Sequence, residues 1–322
     1  MKPIIVTGAA GFIGARTAGM LLERGQMVWG LDNLNDYYDV RLKKHRLKAL
    51  LRHKRFRFHR VDIEDMKAVR KIFKKGKPSA AINLAARAGV RYSLVNPWIY
   101  MSTNASGMLN ILEASRETGV NKVIMASTSS LYAGQQMPFK ESLPVNTPIS
   151  PYAASKKAAE AICYTYHHLF KMNITILRYF TVYGPAGRPD MAPFRFIKWI
   201  DEGKPLQQFG DGSQSRDFTY VDDIARGTIK ALSLNGYHTI NLGSNRPWKL
   251  SKFIRLIEEM LGKKAKIKVL PKNQTDMEAT WADITQAKDV LKWKPEIGLE
   301  EGLTRTIDWY EQNRPWLSKV RV

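Results

Sequence analysis

Val6-Thr7-Gly8-Ala9-Ala10-Gly11-Phe12-Ile13-Gly14 joins a short apolar run to a segment with helical spacing. Three glycines at this spacing allow a tight turn, close approach of the backbone to a diphosphate, and close packing of helix on strand. The start of the helix also offers free N–H groups and a partial positive charge to an anion. A glycine-rich turn without a ligand has the same local pattern, so the surrounding sequence has to decide. We predict a dinucleotide site lined by Gly8, Gly11, Phe12, Ile13 and Gly14.

Short apolar runs alternate with longer amphipathic segments through the first half of the chain. The predicted strands are Pro3–Thr7, Met27–Asp32, Phe56–Val61, Ala80–Ala85, Lys122–Ser127 and Ile174–Tyr179. The predicted helices between them include Phe12–Arg24, Met66–Lys74, Trp98–Glu117 and Tyr152–Phe170. This alternation predicts an α/β fold with a doubly wound parallel sheet of the Rossmann type.

The pattern changes after Tyr183, where glycine-rich loops separate shorter and more mixed elements. We therefore expect a smaller mixed C-terminal substrate lobe. The predicted division is a nucleotide-binding domain over residues 1–180, with returning segments near 219–245, and a lobe formed by residues 181–218 and 246–322.

Polar and small residues follow the predicted strands, where a dinucleotide would lie. Asp32 ends the second strand, and its carboxylate suits the ribose diol of NAD while repelling the 2′-phosphate of NADP. A turn-forming Asp32-Asn33 pair is the alternative. An adenine edge is expected beside Asp62 and Ile63, and a close passage of the cofactor beside the small residues after the fourth strand, Leu84, Ala85 and Ala86.

Tyr152 and Lys156 lie four positions apart at the start of a predicted helix, so their side chains share one face. An ammonium near a phenol favours the phenolate and lowers the pKa of the tyrosine, as an acid–base catalyst requires. The hydroxyl run Ser127-Thr128-Ser129-Ser130 ends the fifth strand and is expected to face the same site. We assign to Thr128 the sharing of a proton with Tyr152 and a substrate oxygen. A tyrosine beside a solvated lysine is the non-catalytic alternative.

Composition excludes several classes of protein. Lys and Arg total 51 against 29 Asp and Glu, a formal charge of +22, but no nucleic-acid module accompanies the basic stretch 41–60. The single cysteine, Cys163, excludes an internal disulfide and fits a reducing cytoplasm. No apolar run approaches the roughly 20 residues of a membrane helix. We expect a soluble cytoplasmic protein with no metal, no membrane span and no nucleic-acid partner.

Six strings carry a resemblance to a known family: TGAAGFIG, LAA, STSSLY, PYAASK, RYFTVYGP and SRDFTYVDDI. The chain resembles the extended short-chain dehydrogenase/reductases, a family of nucleotide-sugar epimerases, dehydratases and decarboxylases. Three further strings, DNLNDYYDVRLKKHRL, AGVRYSLVNP and EATWADI, are most similar to UDP-glucuronate 4-epimerases. The resemblance implies an isomerase that holds NAD tightly and acts on a UDP-sugar.

The resemblance also implies residue roles. Tyr152 would take the proton of the sugar 4-hydroxyl while C4 gives its hydride to NAD, and the 4-keto sugar would then turn and regain hydride on its other face. Lys156 would bind the nicotinamide ribose. The implied cofactor contacts further include Asn104, Ser127, Tyr179 and Val182. In the second lobe, Arg216 would pair with the UDP diphosphate and Asp276 with a ribose, a surface ion pair being the alternative for each.

Substrate preference is expected to depend on the sugar carboxylate. Decarboxylases and dehydratases of this family carry an acidic residue in the segment that matches Ser129-Ser130, whereas both positions here are serine. We hypothesise that Ser129, Ser130, Thr181 and Arg188 hold the carboxylate of a 4-keto glucuronate away from the geometry in which it loses CO₂. For Arg188, a plain loop residue without this role is the alternative. Arg87 stands where relatives usually have glutamine and would either add affinity for an acidic sugar or change packing.

Three other functions compete with epimerisation of UDP-glucuronate to UDP-galacturonate. They are a 4-epimerase of a neutral UDP-hexose or UDP-N-acetylhexosamine, a UDP-glucuronate decarboxylase, and a catalytically idle NAD-sensing protein. The helices Trp98–Glu117 and Tyr152–Phe170 resemble those that form a four-helix interface in this family, which implies a homodimer.

Overall fold

The computed structural model describes residues 1–272 and 276–322. Strands in these ranges are β1 (Ile4–Thr7), β2 (Val28–Asp32), β3 (Phe56–Arg60), β4 (Ala80–Asn83), β5 (Lys122–Thr128), β6 (Asn173–Tyr179), β7 (Thr181–Tyr183), β8 (Pro205–Phe209), β9 (Ser215–Tyr220), β10 (Tyr237–Leu242), β11 (Pro247–Lys249) and β12 (Lys266–Leu270). Helices are α1 (Phe12–Glu23), α2 (Val40–Leu50), α3 (Met66–Gly76), α4 (Val90–Val95), α5 (Trp98–Tyr100), α6 (Gly107–Glu117), α7 (Pro151–Phe170), α8 (Ala192–Asp201), α9 (Val221–Lys230), α10 (Leu250–Leu261), α11 (Thr285–Leu291) and α12 (Leu299–Leu317).

Seven parallel strands form the central sheet in the order β10-β6-β5-β4-β1-β2-β3. The order reverses beside β1: the chain moves outward from β1 through β2 to β3, then crosses to β4 on the other side of β1. Ligands of open parallel sheets bind beyond the carboxyl ends of the strands at such a reversal. The predicted doubly wound fold is therefore confirmed, and the reversal marks where to look for a site.

Helices cover both faces of this sheet and bury an apolar core on each side. On one face α1, α2 and α9 contribute Leu21, Leu47 and Ile224. On the other, α3, α6 and α7 contribute Phe73, Ile111 and Cys163. The helices on both faces explain why the strand segments of the sequence are continuously apolar: a strand covered on both sides has no solvent-facing residues.

A wider helical turn interrupts the helix predicted over Trp98–Glu117. The stretch Met101–Ser106 is a π-helix between α5 and α6. Such turns insert one extra residue and are frequent at functional sites. Here the π-helix contains Asn104, which is only 3% exposed.

The second lobe combines two small sheets with helices. β7, β9 and β11 form one sheet, and β8 pairs in parallel with β12. Its own core includes Tyr183, Phe194, Phe218, Phe253 and Leu303. These short strands were not predicted, because three to six residues carry too little periodicity to be recognised. Among the described residues, no helix has both the length and the apolar character needed to cross a bilayer.

A buried ion pair joins α7 to β6 beneath the carboxyl ends of the strands. The guanidinium of Arg178 donates from Nε to Glu160 Oε1 at 3.0 Å and from Nη2 to Oε2 at 2.8 Å. Both side chains are 5% exposed. Removing one partner of such a pair leaves the other charge buried and uncompensated.

We expect Glu160→Gln to lower the free energy of unfolding by about 3 to 5 kcal/mol. Urea denaturation monitored by circular dichroism measures this loss. Glu117→Gln is the matched control, because Glu117 forms a similar two-point pair with Arg70 at the surface. Water screens that pair, so its loss should be small. Equal losses in the two variants would contradict the expectation.

Candidate active site

A cleft lies beyond the carboxyl ends of β1, β4 and β5, at the reversal of strand order. Most predicted site residues line it: Gly8, Gly11, Phe12, Ile13, Gly14, Asp32, Asn33, Asp62, Ile63, Leu84, Ala85, Ala86, Arg87, Ser127, Thr128, Ser129, Ser130, Tyr152, Lys156, Tyr179, Thr181, Val182 and Arg188. Three predicted residues, Asn104, Arg216 and Asp276, are not part of this lining.

The β1–α1 turn is packed too tightly for side chains at its glycines. Gly8 has a φ of +65°, and a Cβ on it would lie 2.8 Å from the backbone nitrogen of Ala85. A Cβ on Gly14 would lie 2.0 Å from the carbonyl oxygen of Gly8. Helix α1 therefore begins against the turn with its free N–H groups accessible, which fits the diphosphate of a dinucleotide.

The carboxylate of Asp32 is held in place at the end of β2. It accepts a hydrogen bond from the Ala10 N–H at 3.1 Å through Oδ2 and from the Leu34 N–H at 2.8 Å through Oδ1. Two backbone donors keep the carboxylate facing the glycine turn, where a ribose diol of NAD would lie. The residues present therefore fit NAD.

Lys43 is a further lining residue that sequence reasoning missed. Its ammonium donates to Asn35 Oδ1 at 3.0 Å. The pKa of Lys43 is lowered to about 8, chiefly by burial; the charge of Asp32 opposes this shift, and the charges of Arg87, Arg46 and Arg188 add to it. Lys43 lies within the string DNLNDYYDVRLKK, but nothing in the spacing of that string shows that its side chain faces the cleft.

The pair Tyr152 and Lys156 sits in the first turns of α7. Ser150 caps this helix by accepting from the Ala153 N–H at 3.2 Å, and Pro151 follows at the first helical position. The ammonium of Lys156 donates to the Ala126 carbonyl at 2.8 Å. Burial lowers the pKa of Lys156 to about 8, against the opposing charge of Glu160.

The phenol of Tyr152 has a raised pKa, whereas the sequence led us to expect a lowered one. Burial raises the pKa of Tyr152, and the nearby hydroxyl of Thr128 and the charge of Arg188 lower it by less. In this structure the ammonium of Lys156 is instead directed at the Ala126 carbonyl. Thr128, to which sequence reasoning assigned the sharing of a proton with Tyr152, lines the same cleft, and its Oγ1 donates to Ser130 Oγ at 3.1 Å.

Two predicted cofactor contacts use their polar atoms within the protein. Asn104 accepts from the Arg87 N–H at 2.8 Å and donates to the Arg87 carbonyl and to Ser155 Oγ, both at 2.9 Å. Ser127 donates to Glu160 Oε1 at 2.6 Å. Asn104 thus ties the backbone after β4 to the catalytic helix α7.

Two guanidiniums lie together at the far end of the cleft. Arg87 and Arg188 each place the guanidinium carbon 5.6 Å from the ring centre of Tyr37. Buried Nε of Arg87 has no hydrogen-bond partner among the described residues. Ser129, Ser130 and Thr181 line the same cleft. Hydroxyls and guanidiniums together suit an acidic ligand.

Arg216 and Asp276 belong to a second cluster, with two arginines that the sequence analysis missed. Arg91 donates to Asp276 Oδ2 at 2.6 Å. Burial lowers the pKa of Arg216, with Asp276 opposing and Arg91 reinforcing the effect. Burial and the charge of Arg91 also lower the pKa of Arg195. Arg91 lies within the string AGVRYSLVNP, but its partner is 185 positions away.

Comparison with known proteins agrees with this geometry. A model of the NAD dependent epimerase/dehydratase family matches residues 4–243. The chain belongs to this family. It is 54% identical over 319 residues to a UDP-glucuronate 4-epimerase of Thermodesulfobacterium geofontis, covering 99% of each chain. It is 37% identical over 330 residues to a probable UDP-glucuronate 4-epimerase of Rhizobium meliloti, covering 96% of this chain and 97% of the relative.

Solved structures of family members have the same fold. The UDP-glucuronic acid 4-epimerase of Bacillus cereus, in complex with UDP-glucuronic acid and NAD, has a TM-score of 0.91 at 38% identity over 97% of this chain and 99% of its own. The UDP-glucose 4-epimerase of Thermotoga maritima, with UDP-glucose, has a TM-score of 0.89 at 31% identity and the same coverage. The resemblance inferred from the motifs is confirmed.

Gly14→Ala should abolish retention of NAD and lower the melting temperature, because the new Cβ would collide with the Gly8 carbonyl. Gly19→Ala is the matched control in the same helix, since its Cβ would meet only side-chain atoms at 3.9 Å or more. We expect the control to keep NAD and to gain about 0.5 to 1 kcal/mol of stability. Release of NAD on acid denaturation, measured for both purified variants, checks this. NAD retained equally by both would contradict the tight-turn interpretation.

Proposed function

We propose that this protein is an NAD-containing isomerase that interconverts UDP-glucuronate and UDP-galacturonate through a transient 4-keto sugar. The observation that carries the proposal is the convergence of three features on one cleft: the glycine turn, the side chains of Thr128 and Tyr152, and the guanidiniums of Arg87 and Arg188. The relatives described as UDP-glucuronate 4-epimerases support the same activity.

Tyr152 is the proposed acid–base group. Bound NAD supplies the hydride acceptor and donor of this chemistry. Tyr152 takes the proton of the 4-hydroxyl and later returns it, and the hydroxyl of Thr128, which lines the same cleft, is the proposed partner that shares this proton. The cation of a bound nicotinamide acts in the direction that lowers the pKa of Tyr152, opposing burial. Lys156, buried at the same face of α7, is the proposed ribose contact.

The proposed substrate is an acidic sugar. Ser129, Ser130 and Thr181 offer neutral donors, and Arg188 and Arg87 offer charge, along one side of the cleft. A 4-keto glucuronate is a β-keto acid, which loses CO₂ when its carboxylate stands perpendicular to the ketone. We propose that these residues hold the carboxylate away from that geometry. The guanidinium of Arg87, whose buried Nε has no hydrogen-bond partner among the described residues, favours this substrate over a neutral hexose, which would leave that charge uncompensated.

The UDP half is assigned to the second cluster. Asp276 is the carboxylate next to Arg91 and Arg216. Arg195 lies near Arg91, and its neighbouring carboxylate is Asp190, which already pairs with Arg188. This surplus of charge suits a diphosphate, which an arginine fork binds through two oxygens. Asp276 remains the proposed ribose contact.

We also propose a cytoplasmic homodimer formed through α4–α7. Large apolar side chains are exposed on these neighbouring helices, among them Val95 (77%), Trp98 (82%), Tyr164 (54%) and Leu169 (61%). Exposed apolar surface of this kind typically marks a protein interface. A single cysteine, buried and unpaired, supports a reducing compartment.

Purified protein incubated with UDP-glucuronate, without added NAD, should form UDP-galacturonate. Chromatography of the products separates the alternatives, because a decarboxylase would give UDP-xylose and a neutral-sugar epimerase or an idle binding protein would give no product. Tyr152→Phe should lower kcat about 10² to 10⁴-fold while NAD stays bound.

Tyr310→Phe is the control for this substitution. Tyr310 is a buried tyrosine of α12 whose hydroxyl has no hydrogen-bond partner among the described residues. Its removal should leave the rate unchanged. An undiminished rate in Tyr152→Phe would remove Tyr152 from the mechanism.

Trp98→Asp combined with Leu169→Asp should convert the dimer to a monomer, because each places a charge in the proposed apolar interface. Light scattering after size-exclusion chromatography measures the mass. Val269→Asp is the control, since Val269 is also exposed (62%) but lies on β12 in the second lobe. A wild-type monomer, or a dimer that survives the double substitution, would exclude this interface.

A further inference from the structure

Arg188 uses only one edge of its guanidinium within the protein. Nε donates to Asp190 Oδ1 at 3.1 Å, and Nη2 donates to Asp190 Oδ2 at 2.5 Å and to the Ala88 carbonyl at 3.3 Å. Nη1 makes no hydrogen bond to the described residues. The carboxylate of Asp190 therefore occupies one of the two edges through which a guanidinium binds an acidic ligand at two points. The Ala88 carbonyl takes the other N–H of Nη2, which the second edge would need.

The loop that carries both residues is rigidly held. Pro189 separates Arg188 from Asp190 and fixes its own φ, so the two side chains are presented at a set spacing. Arg46 of α2 donates to the Ala186 carbonyl at 2.9 Å and to the Gly187 carbonyl at 3.0 Å. The backbone immediately before Arg188 is thereby anchored to α2.

Two aromatic rings confine the guanidinium further. Its central carbon lies 5.6 Å from the ring centre of Tyr37 and 5.9 Å from that of Tyr38. The hydroxyl of Tyr37 donates to the Ala88 carbonyl at 2.6 Å, the same carbonyl that Arg188 contacts. Arg188 is only 18% exposed in this setting. A rotation that turned its Nε–Nη2 edge toward a ligand would break the contacts with Asp190 and Ala88 together.

We propose that Asp190 is a positioning residue that blocks the two-point edge of Arg188 and leaves only the Nη1 end for the sugar carboxylate. The proposal rests on the function proposed above. A two-point contact forces the plane of a carboxylate to coincide with the plane of the guanidinium. A carboxylate that accepts a hydrogen bond only from Nη1 is not forced into that plane. Its orientation is then set by the hydroxyls of Ser129, Ser130 and Thr181, which line the same cleft.

The orientation matters because it controls a side reaction of the 4-keto sugar. When the C5–C6 bond stands perpendicular to the ketone, that bond can break. Its electron pair then enters the C4 carbonyl as an enolate, CO₂ leaves, and a proton from water adds at C5. A two-point grip by Arg188 would pull the carboxylate toward Arg188 and out of the orientation that the hydroxyls impose. The product of these steps is a UDP-4-keto-pentose, which becomes a UDP-pentose when its C4 regains the hydride that was removed at the start. Asp190 is thus expected to suppress formation of the UDP-pentose.

Asp190→Ala tests this with UDP-glucuronate and the NAD-containing enzyme. Opening the arginine edge should lower KM for UDP-glucuronate, because a two-point contact becomes available. It should also raise the ratio of UDP-pentose to UDP-galacturonate at least about tenfold, the effect of redirecting one charge-assisted hydrogen bond. Asp190→Glu, which restores a carboxylate, should move the product ratio back toward that of the wild type.

Asp222→Ala is the matched control. Asp222 binds Arg16 by the same two-point geometry, at 2.7 and 3.0 Å, outside the residues that line the cleft. It should change stability without changing the product ratio. An unchanged ratio in Asp190→Ala, or an equal change in Asp222→Ala, overturns the role of Asp190. A wild-type enzyme that makes no UDP-galacturonate instead overturns the proposed function itself. Should Asp190→Ala fail to fold, Asp190→Asn, which keeps the shape but loses the charge, takes its place with the same expected direction.

Discussion

The contact of the β1–α1 turn with the end of β4 is the constraint on which the site depends. Gly8 lies against the backbone of Leu84 and Ala85, and Gly14 lies against Gly8, at distances that admit no Cβ. Because the turn is this tight, α1 starts at the carboxyl edge of the sheet with free N–H groups. The same packing brings Asp32 within hydrogen-bond distance of Ala10 and leaves the cleft open toward β5.

Charge is distributed unequally between the core and the cleft. Beneath the strand ends, Arg178 and Glu160 compensate each other fully through two hydrogen bonds. In the cleft, Lys43 and Arg87 bring positive charge without a matching set of carboxylates. Surplus cations in a partly buried site cost solvation free energy unless an anion is bound. A dinucleotide and an acidic sugar nucleotide both supply such an anion, which connects the electrostatics of the fold to the proposed ligands.

Sequence reasoning anticipated the fold and most of the cleft lining, but not how its polar atoms are used. Asn104 was expected beside the cofactor, yet its amide holds the Arg87 backbone and Ser155. The reason is the π-helical turn, whose extra residue no simple 3.6-residue periodicity indicates. Lys43 and Arg91 escaped notice because a long basic side chain has the same sequence signature whether it faces a cleft or water.

Local chemistry in the sequence was sufficient to determine the parallel sheet, the glycine turn and the Tyr152–Lys156 pair. Each of these depends on residues close together along the chain, where turn geometry and helix periodicity act directly. Only the tertiary structure decided the direction of the Tyr152 pKa, the blocking of Arg188 by Asp190, and the partners of Arg216. Burial, and contacts between distant segments such as Arg91 and Asp276, arise only once the chain has folded.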